Sequence, residues 1–294
     1  MGAGQVDNRL GFVGLGVMGQ PMALHLAGEH ALTVHNRTPA RAEPLLRQGA
    51  NWADSPRGAA EASDIVFLML KNDDAVQAVC GGAEGLLAGV HPGMTIVDHS
   101  TISPALTRSL AAQSAGLGAE WIDAPVTGGD AGAKAGTLTI MAGATEEGFA
   151  RVVPYLKLEG RRIVRVGPAG QGQTLKLVAN LVSALNLMAA SEGLKLGLAL
   201  GLEVDVMETV MQNGSAQSFE LAKVVDRLRS GNYEPGFSVD NRYKDLRLAV
   251  DLAEHTGFSA DLGGVAQELF RRHLQSGYSE QDETSYIKRW TESE

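Results

Sequence analysis

The sequence contains a single cysteine, Cys80, among its 294 residues. One cysteine cannot form an internal disulfide and has no spacing partner for zinc, so we interpret it as a small buried thiol. The seven histidines also lack the spacing of metal ligands, since even His25 and His30 are five residues apart. We therefore expect no metal site, and a soluble protein of a reducing compartment such as the cytoplasm.

Positive charge and long apolar runs are scarce as well. The net charge of −9 argues against nucleic acid or an anionic membrane as a partner. The most apolar stretch covers the 15 residues 177–191, whereas a helix that spans a bilayer needs about 20. The short polar N-terminus lacks the charged-then-apolar order of a secretory signal. We expect neither a nucleic-acid nor a membrane partner.

The composition, with 44% hydrophobic residues, permits a large core and two domains. Strand and helix signals alternate up to residue 166, which predicts an α/β fold with a doubly wound, mostly parallel sheet. The predicted strands are short apolar segments at residues 10–13, 31–35, 65–70, 95–98, 120–123, 137–141 and 162–166. A capping residue followed by proline marks three helix starts, at Thr38-Pro39, Ser55-Pro56 and Ser103-Pro104.

From residue 168 onward strand signals nearly vanish, so we expect an all-α C-terminal domain at 168–294 after an α/β domain at 1–167. Residues 173–200 predict one long helix that is apolar over most of its circumference. Such a helix is buried, either between domains or against another subunit. We therefore expect a homodimer or homotetramer, although a large core within one chain would give the same pattern.

A glycine-rich turn follows the first strand, with the sequence Gly14-Leu15-Gly16-Val17-Met18-Gly19. A helical pattern follows it, and a second strand ends about 20 residues later, as in a dinucleotide-binding unit. This context predicts a Rossmann-type domain whose backbone N–H groups bind a pyrophosphate at a helix N-terminus. The alternative is a tight turn that binds nothing.

The second predicted strand ends in Asn36, Arg37 and Thr38, without a carboxylate. An NAD-binding unit usually carries Asp or Glu there, which accepts hydrogen bonds from the ribose 2′-hydroxyl. A guanidinium such as that of Arg37 suits a 2′-phosphate instead. The sequence therefore favours NADP as the cofactor, with NAD possible. In the alternative, Arg37 is a solvated surface residue and Thr38 is only a helix N-cap.

Lys176 and Asn180 lie four residues apart near the start of the long predicted helix, so they share one face. A lone helical lysine is usually a solvated charge. The neighbours of Lys176 are apolar, however, and burial lowers the pKa of a lysine toward the range useful for proton transfer. The pattern makes both residues catalytic candidates.

Two other strand ends carry candidate ligand residues. The segment Asp123-Ala124-Pro125-Val126-Thr127-Gly128-Gly129 ends in consecutive glycines, whose backbone N–H groups suit a carboxylate. A plain loop with glycines for tight turning is the alternative. The segment 98–101 also ends a predicted strand, and ligands of open α/β sheets bind at the carboxyl ends of strands.

Together these segments resemble the β-hydroxyacid dehydrogenase family, which includes 3-hydroxyisobutyrate dehydrogenase, tartronate semialdehyde reductase and the glyoxylate/succinic semialdehyde reductases. The resemblance covers nearly the whole chain, from Phe12-Val13-Gly14-Leu15-Gly16 to Lys244-Asp245-Leu246. It implies hydride transfer between NADP(H) and a short β-hydroxyacid or semialdehyde. The exact substrate and the physiological direction stay open.

The resemblance also implies residue roles. Lys176 matches the general acid/base, and Asn180 matches a residue that holds the lysine or the substrate oxygen. Thr127 stands where the family usually has serine, so the hydroxyl is kept. The implied substrate site consists of Thr127, Gly128, Gly129, Phe237 and Asp245.

The implied cofactor site is larger. Thr101 matches a position near the nicotinamide ring, and Lys71 stands where the family commonly has proline. The loop after the second strand is similar to that of the NADP-preferring members. The implied cofactor residues are Gly14, Leu15, Gly16, Val17, Met18, Gly19, Asn36, Arg37, Thr38, Leu70, Lys71, Thr101 and Lys244.

Three alternatives share parts of this sequence pattern. Imine reductases have the same two-domain plan but usually carry an acid or tyrosine where Lys176 stands. A 6-phosphogluconate-type enzyme needs a larger chain and its own phosphate site. A non-catalytic nucleotide-binding scaffold on the same fold would lack the lysine. We therefore expect an enzyme.

Overall fold

The computed structural model describes residues 8–290. The chain divides into two compact units, the first ending at Lys176 and the second beginning at Leu177. The sequence pattern places the boundary at residue 168, just before the long helix, and the two units divide inside that helix. Each unit is described separately below.

The first unit is built on a nine-stranded sheet in the order β3-β2-β1-β4-β5-β6-β8-β7, with β9 paired to β8. The strands are β1 (Leu10–Val13), β2 (Leu32–His35), β3 (Asn51–Trp52), β4 (Ile65–Leu68), β5 (Thr95–Asp98), β6 (Glu120–Asp123), β7 (Val126–Thr127), β8 (Leu138–Gly143) and β9 (Gly160–Gly167). The first six in spatial order are parallel, and β8 runs antiparallel to β6 and β7. The doubly wound, mostly parallel sheet is thus confirmed.

Helices connect these strands, as parallel pairing requires. They are α1 (Gly19–Ala27), α2 (Glu43–Leu46), α3 (Pro56–Glu61), α4 (Asp73–Cys80), α5 (Pro104–Gly116), α6 (Gly129–Ala135) and α7 (Glu146–Glu159), with 3-10 turns at Pro39–Ala42 and Leu86–Gly89. The side chains of Ser55 and Ser103 cap their helices, as expected. A helical segment also begins after Thr38, but it is a 3-10 turn, and the expected capping bond from the Thr38 side chain is absent.

Alternating side chains of the central strands fill two cores, one on each face of the sheet. Phe12 and Phe67 stack within one core, whereas their neighbours Val13 and Val66 lie in the other. This alternation follows from the two-residue period of a strand. Cys80 belongs to the second core, and burial raises the pKa of its thiol, which confirms it as a buried thiol.

The second unit consists of helices. They are α8 (Gln171–Ala199), which begins in the first unit, α9 (Val204–Met211), α10 (Phe219–Ser230), α11 (Val239–His255) and α12 (Asp261–His273), followed by a π turn (Leu274–Tyr278) and a 3-10 segment (Glu283–Trp290). Leu187 and Leu194 of α8 pack in one core with Phe270 and Tyr286. The all-α C-terminal region is therefore confirmed.

Within the single chain, α8 is buried on one side only. Leu187 and Leu194 are fully buried, but Val178 and Val182 are 51% and 53% exposed and Leu196 is 62% exposed. Apolar composition alone does not reveal which face packs within the chain. The structure leaves one apolar stripe of α8 uncovered.

Helix α8 is also the one helix among residues 8–290 that is long and apolar enough, by length and composition only, to cross a membrane. Its polar residues make buried contacts with other helices of the second unit. Ser183 donates to Glu220 of α10, and Asn180 donates to Asp245 of α11. These bonds, together with the packing of Leu187 and Leu194, are those of a core helix.

Candidate active site

The glycine turn after β1 uses its three glycines for different reasons. Gly14 has φ of +99°, and a Cβ there would overlap the carbonyl oxygen of Met69. A Cβ on Gly19 would overlap the carbonyl oxygen of Gly14, so only glycine lets α1 begin this close to the turn. Gly16 is exposed with open space where a Cβ would stand. That space, in front of α1, fits the approach of a pyrophosphate to the backbone.

The loop after β2 is tied to this turn by Asn36. Its Oδ1 accepts from the Leu15 N–H at 2.9 Å, and its Nδ2 donates to the Thr38 carbonyl at 2.9 Å. Asn36 therefore holds the two loops together, a role that the sequence did not suggest. Arg37 and Thr38 are exposed beside it, and no carboxylate occupies this strand end.

The loops after β4 and β5 are joined by Ser100. Its hydroxyl accepts from the Leu70 N–H at 2.9 Å, and its own N–H donates to Asp98 at 2.9 Å. Lys71 is exposed and Thr101 is partly buried. The glycine turn and the loops after β2, β4 and β5 thus share the carboxyl-end edge of the parallel strands, where ligands bind in such sheets.

Asp98 and His99, included in the strand-end segment, are fully buried and line no surface. Burial raises the pKa of Asp98 to about 7. Burial would lower the pKa of His99, but Glu159, 3.2 Å from Nε2, raises it above the ordinary value. The His99 Nδ1 bonds the Ala124 carbonyl at 2.8 Å. The pair therefore fixes the backbone next to Asp123 from inside the core.

Asp123 anchors the start of α8. Its Oδ1 accepts from the Gly170 N–H at 2.7 Å and its Oδ2 from the Gln173 N–H at 2.8 Å. Burial raises the pKa of Asp123 to about 6, although these N–H bonds act in the opposite direction. A Cβ on Gly172 would overlap the Met141 carbonyl oxygen, so the helix starts tightly against the sheet. The sequence did not reveal this anchoring role of Asp123.

Thr127, Gly128 and Gly129 follow on the exposed side. Gly128 and Gly129 have φ of +134° and +63°, values that L side chains rarely adopt. The two glycines are therefore required by the backbone path. That path leaves the residues of the expected carboxylate site accessible to solvent.

Lys176 and Asn180 stand one turn apart on α8 and are 6% and 8% exposed. Nδ2 of Asn180 donates to Oδ2 of Asp245 at 2.5 Å, and the Lys244 ammonium lies 3.0 Å from the other Asp245 oxygen. The amide of Asn180 is therefore held by α11. The hydrogen bond and the ion pair together join Asn180, Asp245 and Lys244, to which the sequence gave separate roles.

Arg242 is a residue that sequence analysis missed. It is 3% exposed and donates to the Asn180 carbonyl and to the Ser183 hydroxyl, both at 2.9 Å. Its Nε pairs with the buried Glu283, and its guanidinium lies 5.1 Å from the centroid of the Phe237 ring. Burial would lower the pKa of Arg242, but Glu283 raises it, so the charge is kept. Nothing in the local sequence distinguishes this arginine from a surface one.

Residues 8–290 contain no group of three or more His, Cys, Asp or Glu side chains that could hold a metal ion.

The open backbone at the glycine turn and the basic side chain of Arg37 after β2 are features of a dinucleotide site.

Comparisons with known proteins agree with this geometry. The family model described as the NAD binding domain of 6-phosphogluconate dehydrogenase matches residues 9–167, and the model described as NAD-binding of NADP-dependent 3-hydroxyisobutyrate dehydrogenase matches residues 170–290. The 2-hydroxy-3-oxopropionate reductase of Escherichia coli K12 is 38% identical, over 95% of this chain and 96% of its own length.

Two solved structures are similar over their full length. The 3-hydroxyisobutyrate dehydrogenase of Mycobacterium tuberculosis, with L-serine, has a TM-score of 0.89 at 28% identity and covers 98% of this chain and 100% of its own. Psf3 in complex with NADP+ and 2-OPP has a TM-score of 0.86 at 32% identity and covers 95% of this chain and 99% of its own. The chain belongs to the 3-hydroxyisobutyrate dehydrogenase family of NAD(P)-dependent β-hydroxyacid dehydrogenases.

Proposed function

We propose that this enzyme transfers a hydride between NADP(H) and a short acid that carries an aldehyde or hydroxyl carbon β to its carboxylate. The observation that carries the proposal is the nearly buried Lys176 on a helix whose first turn is held by Asp123, which accepts from the Gln173 N–H. A buried, anchored lysine is suited to proton transfer rather than to solubility. A scaffold that binds a nucleotide without catalysis would not need a buried lysine at this position.

The proposed cofactor preference for NADP rests on the loop after β2. Arg37 is exposed there, residues 36–38 contain no carboxylate, and a guanidinium is a bidentate donor for phosphate. Psf3, a structural relative, was solved with NADP+. In this proposal Asn36 and Thr38 complete the ribose site, and Gly14 to Gly19, Leu70, Lys71, Thr101 and Lys244 contact the rest of the cofactor.

The proposed mechanism assigns each group one task. NADPH, when bound, supplies the hydride to the aldehyde carbon. Negative charge then grows on the carbonyl oxygen, and the Lys176 ammonium stabilises and protonates it. In the oxidative direction the neutral amine accepts the hydroxyl proton. Asn180, fixed by Asp245, orients the lysine or the reacting oxygen.

The substrate carboxylate is assigned to the exposed Thr127, Gly128 and Gly129, whose backbone N–H groups and hydroxyl are suitable donors. Phe237 and Asp245 complete the proposed substrate site. The Escherichia coli relative is named for 2-hydroxy-3-oxopropionate and the Mycobacterium tuberculosis structure for 3-hydroxyisobutyrate. Both compounds are short acids with the reacting carbon β to a carboxylate, which supports this substrate class.

Initial rates with NADPH and NADH on a panel of short semialdehydes and hydroxyacids test the function. We expect the best semialdehyde to exceed an aldehyde of equal length without a carboxylate by roughly 100-fold in kcat/KM, because a site built for a carboxylate leaves its donors unpaired otherwise. Equal rates with the two aldehydes would contradict the carboxylate site. NADPH binding without oxidation of any substrate would favour a scaffold.

We further propose that the exposed stripe of α8 is covered by a second copy of the chain, as a homodimer or homotetramer. Val178 and Val182 occupy the stripe one turn apart, and Leu196 extends it. Exposed apolar side chains grouped on one helix face are a feature of association sites.

Replacing Val182 with glutamate is expected to convert the oligomer into monomer, because the interface would bury a charge without a partner. Light scattering after gel filtration measures the mass of wild type and variant. Leu117→Glu makes the same change at an exposed apolar position of the first unit and should leave the mass unaltered. A monomeric wild type, or an oligomer that survives Val182→Glu, would contradict the proposal.

We propose a cytoplasmic location for the enzyme. Its single cysteine is buried as a free thiol, and it belongs to the core of the first unit. Such a chain needs no oxidising compartment to fold.

A further inference from the structure

We propose that Gln173 is a positioning residue that sets Thr101 against the first turn of the helix that carries Lys176. The inference rests on the proposed function and goes beyond it, since neither the glycine turn nor the lysine motif gives Gln173 a task. Its side chain is completely buried, where an unpaired amide would be costly.

The side chain of Gln173 bonds on both sides of Thr101. Nε2 donates to the Ser100 carbonyl at 2.6 Å, and Oε1 accepts from the Ile102 N–H at 3.2 Å. One amide therefore binds the backbone before and after Thr101, as a strand partner would. This two-point attachment fixes both the position and the orientation of the segment.

The backbone of Gln173 is fixed as well. Its N–H donates to Asp123 at 2.8 Å, and it precedes Lys176 by less than one helical turn. Through Ser100, the same network reaches the Leu70 N–H. Gln173 thus connects the residue assigned to the nicotinamide ring, the loop at Leu70 and the start of the catalytic helix.

Loss of this attachment is expected to affect the chemical step more than binding. Gln173→Met keeps the volume but makes neither side-chain bond, so the Thr101 segment loses its attachment to the first turn of the helix that carries Lys176. Misplacement of reacting groups by about 1 Å can lower turnover roughly 100-fold. We expect kcat to fall roughly 10- to 100-fold, with the dissociation constant of NADPH nearly unchanged. The deuterium isotope effect with 4-deuterated NADPH should rise, because hydride transfer becomes rate-limiting.

Gln173→Glu provides a test that a general loss of stability would not mimic. A protonated carboxyl donates to the Ser100 carbonyl and accepts from the Ile102 N–H, as the amide does. An ionised carboxylate cannot donate and faces that carbonyl, with the buried carboxyls of Asp98 and Asp123 close by. Burial and the two neighbouring carboxyls raise the pKa of the introduced carboxyl, so it is protonated in the lower part of the pH range and ionised in the upper part. The ratio of variant to wild-type kcat should therefore fall as the pH rises.

The experiment measures kcat, NADPH affinity and circular dichroism for wild type and both variants across the pH range in which wild type is stable. Gln113→Met and Gln113→Glu, at an exposed position of α5, are the matched controls and should follow wild type. If Gln173→Met is unfolded, the pH-dependent ratio of Gln173→Glu decides alone. A ratio that does not change with pH, or a folded Gln173→Met with wild-type kcat, would overturn the proposal. A wild type without activity on any substrate would instead refute the proposed function, and this inference with it.

Discussion

Lys176→Ala is expected to lower kcat for the best semialdehyde roughly 10⁴-fold. The ammonium both stabilises the developing charge on the carbonyl oxygen and donates the proton, and such groups contribute about 10²- to 10⁴-fold each. The affinity for NADPH should change little, because binding of the pyrophosphate is assigned to the glycine turn. Stopped-flow absorbance at the nicotinamide band measures turnover, and fluorescence titration measures NADPH affinity.

Two further variants make this result specific. Lys176→Arg keeps the positive charge but cannot release a proton near neutral pH, so it should stay almost as slow as the alanine variant. Lys195→Ala removes a lysine from the same helix, four turns or more away, and should retain wild-type turnover. Turnover retained in Lys176→Ala would remove the lysine from the mechanism and reopen the scaffold alternative.

The strands of the sheet were predictable because each combines a short apolar run with turn residues at its ends. All seven predicted strands are present, with ends that differ by up to two residues. Strands β3 and β7 were missed, since two residues are too short to show a period. Their pairing depends on neighbouring strands, which a local pattern cannot contain.

In the candidate site as well, residues with a local role were predictable, and residues whose role depends on distant partners were not. The roles of Gly14 and Gly19 follow from local backbone geometry, so a sequence motif can carry them. The roles of Asp123 and Arg242 depend on bonds to residues 47 and 62 positions away in the chain. Side chains that position others across such distances leave no local signature. The burial of Asp98 and His99 could not be distinguished from a ligand-binding strand end for the same reason.

Helix α8 shows a limit of composition. An apolar circumference predicts burial but not the partner that provides it. The chain itself covers Leu187 and leaves Val182 exposed. The packing of α9 to α12 and of the C-terminal 3-10 segment decides which face is covered, and that packing is a property of the folded second unit.

Arg37→Glu is expected to reverse the cofactor preference, with the ratio of kcat/KM for NADPH over NADH falling roughly 10³-fold. The variant loses a charge-assisted bond to the 2′-phosphate and adds a like charge, which together cost several kcal/mol. NADH has a hydroxyl at this position, to which a carboxylate can accept a hydrogen bond. Its kcat/KM should therefore stay constant or rise. Initial rates with both cofactors at saturating semialdehyde measure the ratio.

The control for this prediction is Arg41→Glu, which makes the same charge change four residues later in the exposed 3-10 turn. A general effect of charge on a polyanionic cofactor would lower NADPH efficiency in both variants and would weaken with salt in both. A bond to the 2′-phosphate predicts a large loss only for Arg37→Glu. A wild type that prefers NADH would show that the missing carboxylate after β2 does not select NADP. In that case the Asn36 amide, already bonded to Leu15 and Thr38, would be the remaining group for the ribose hydroxyl.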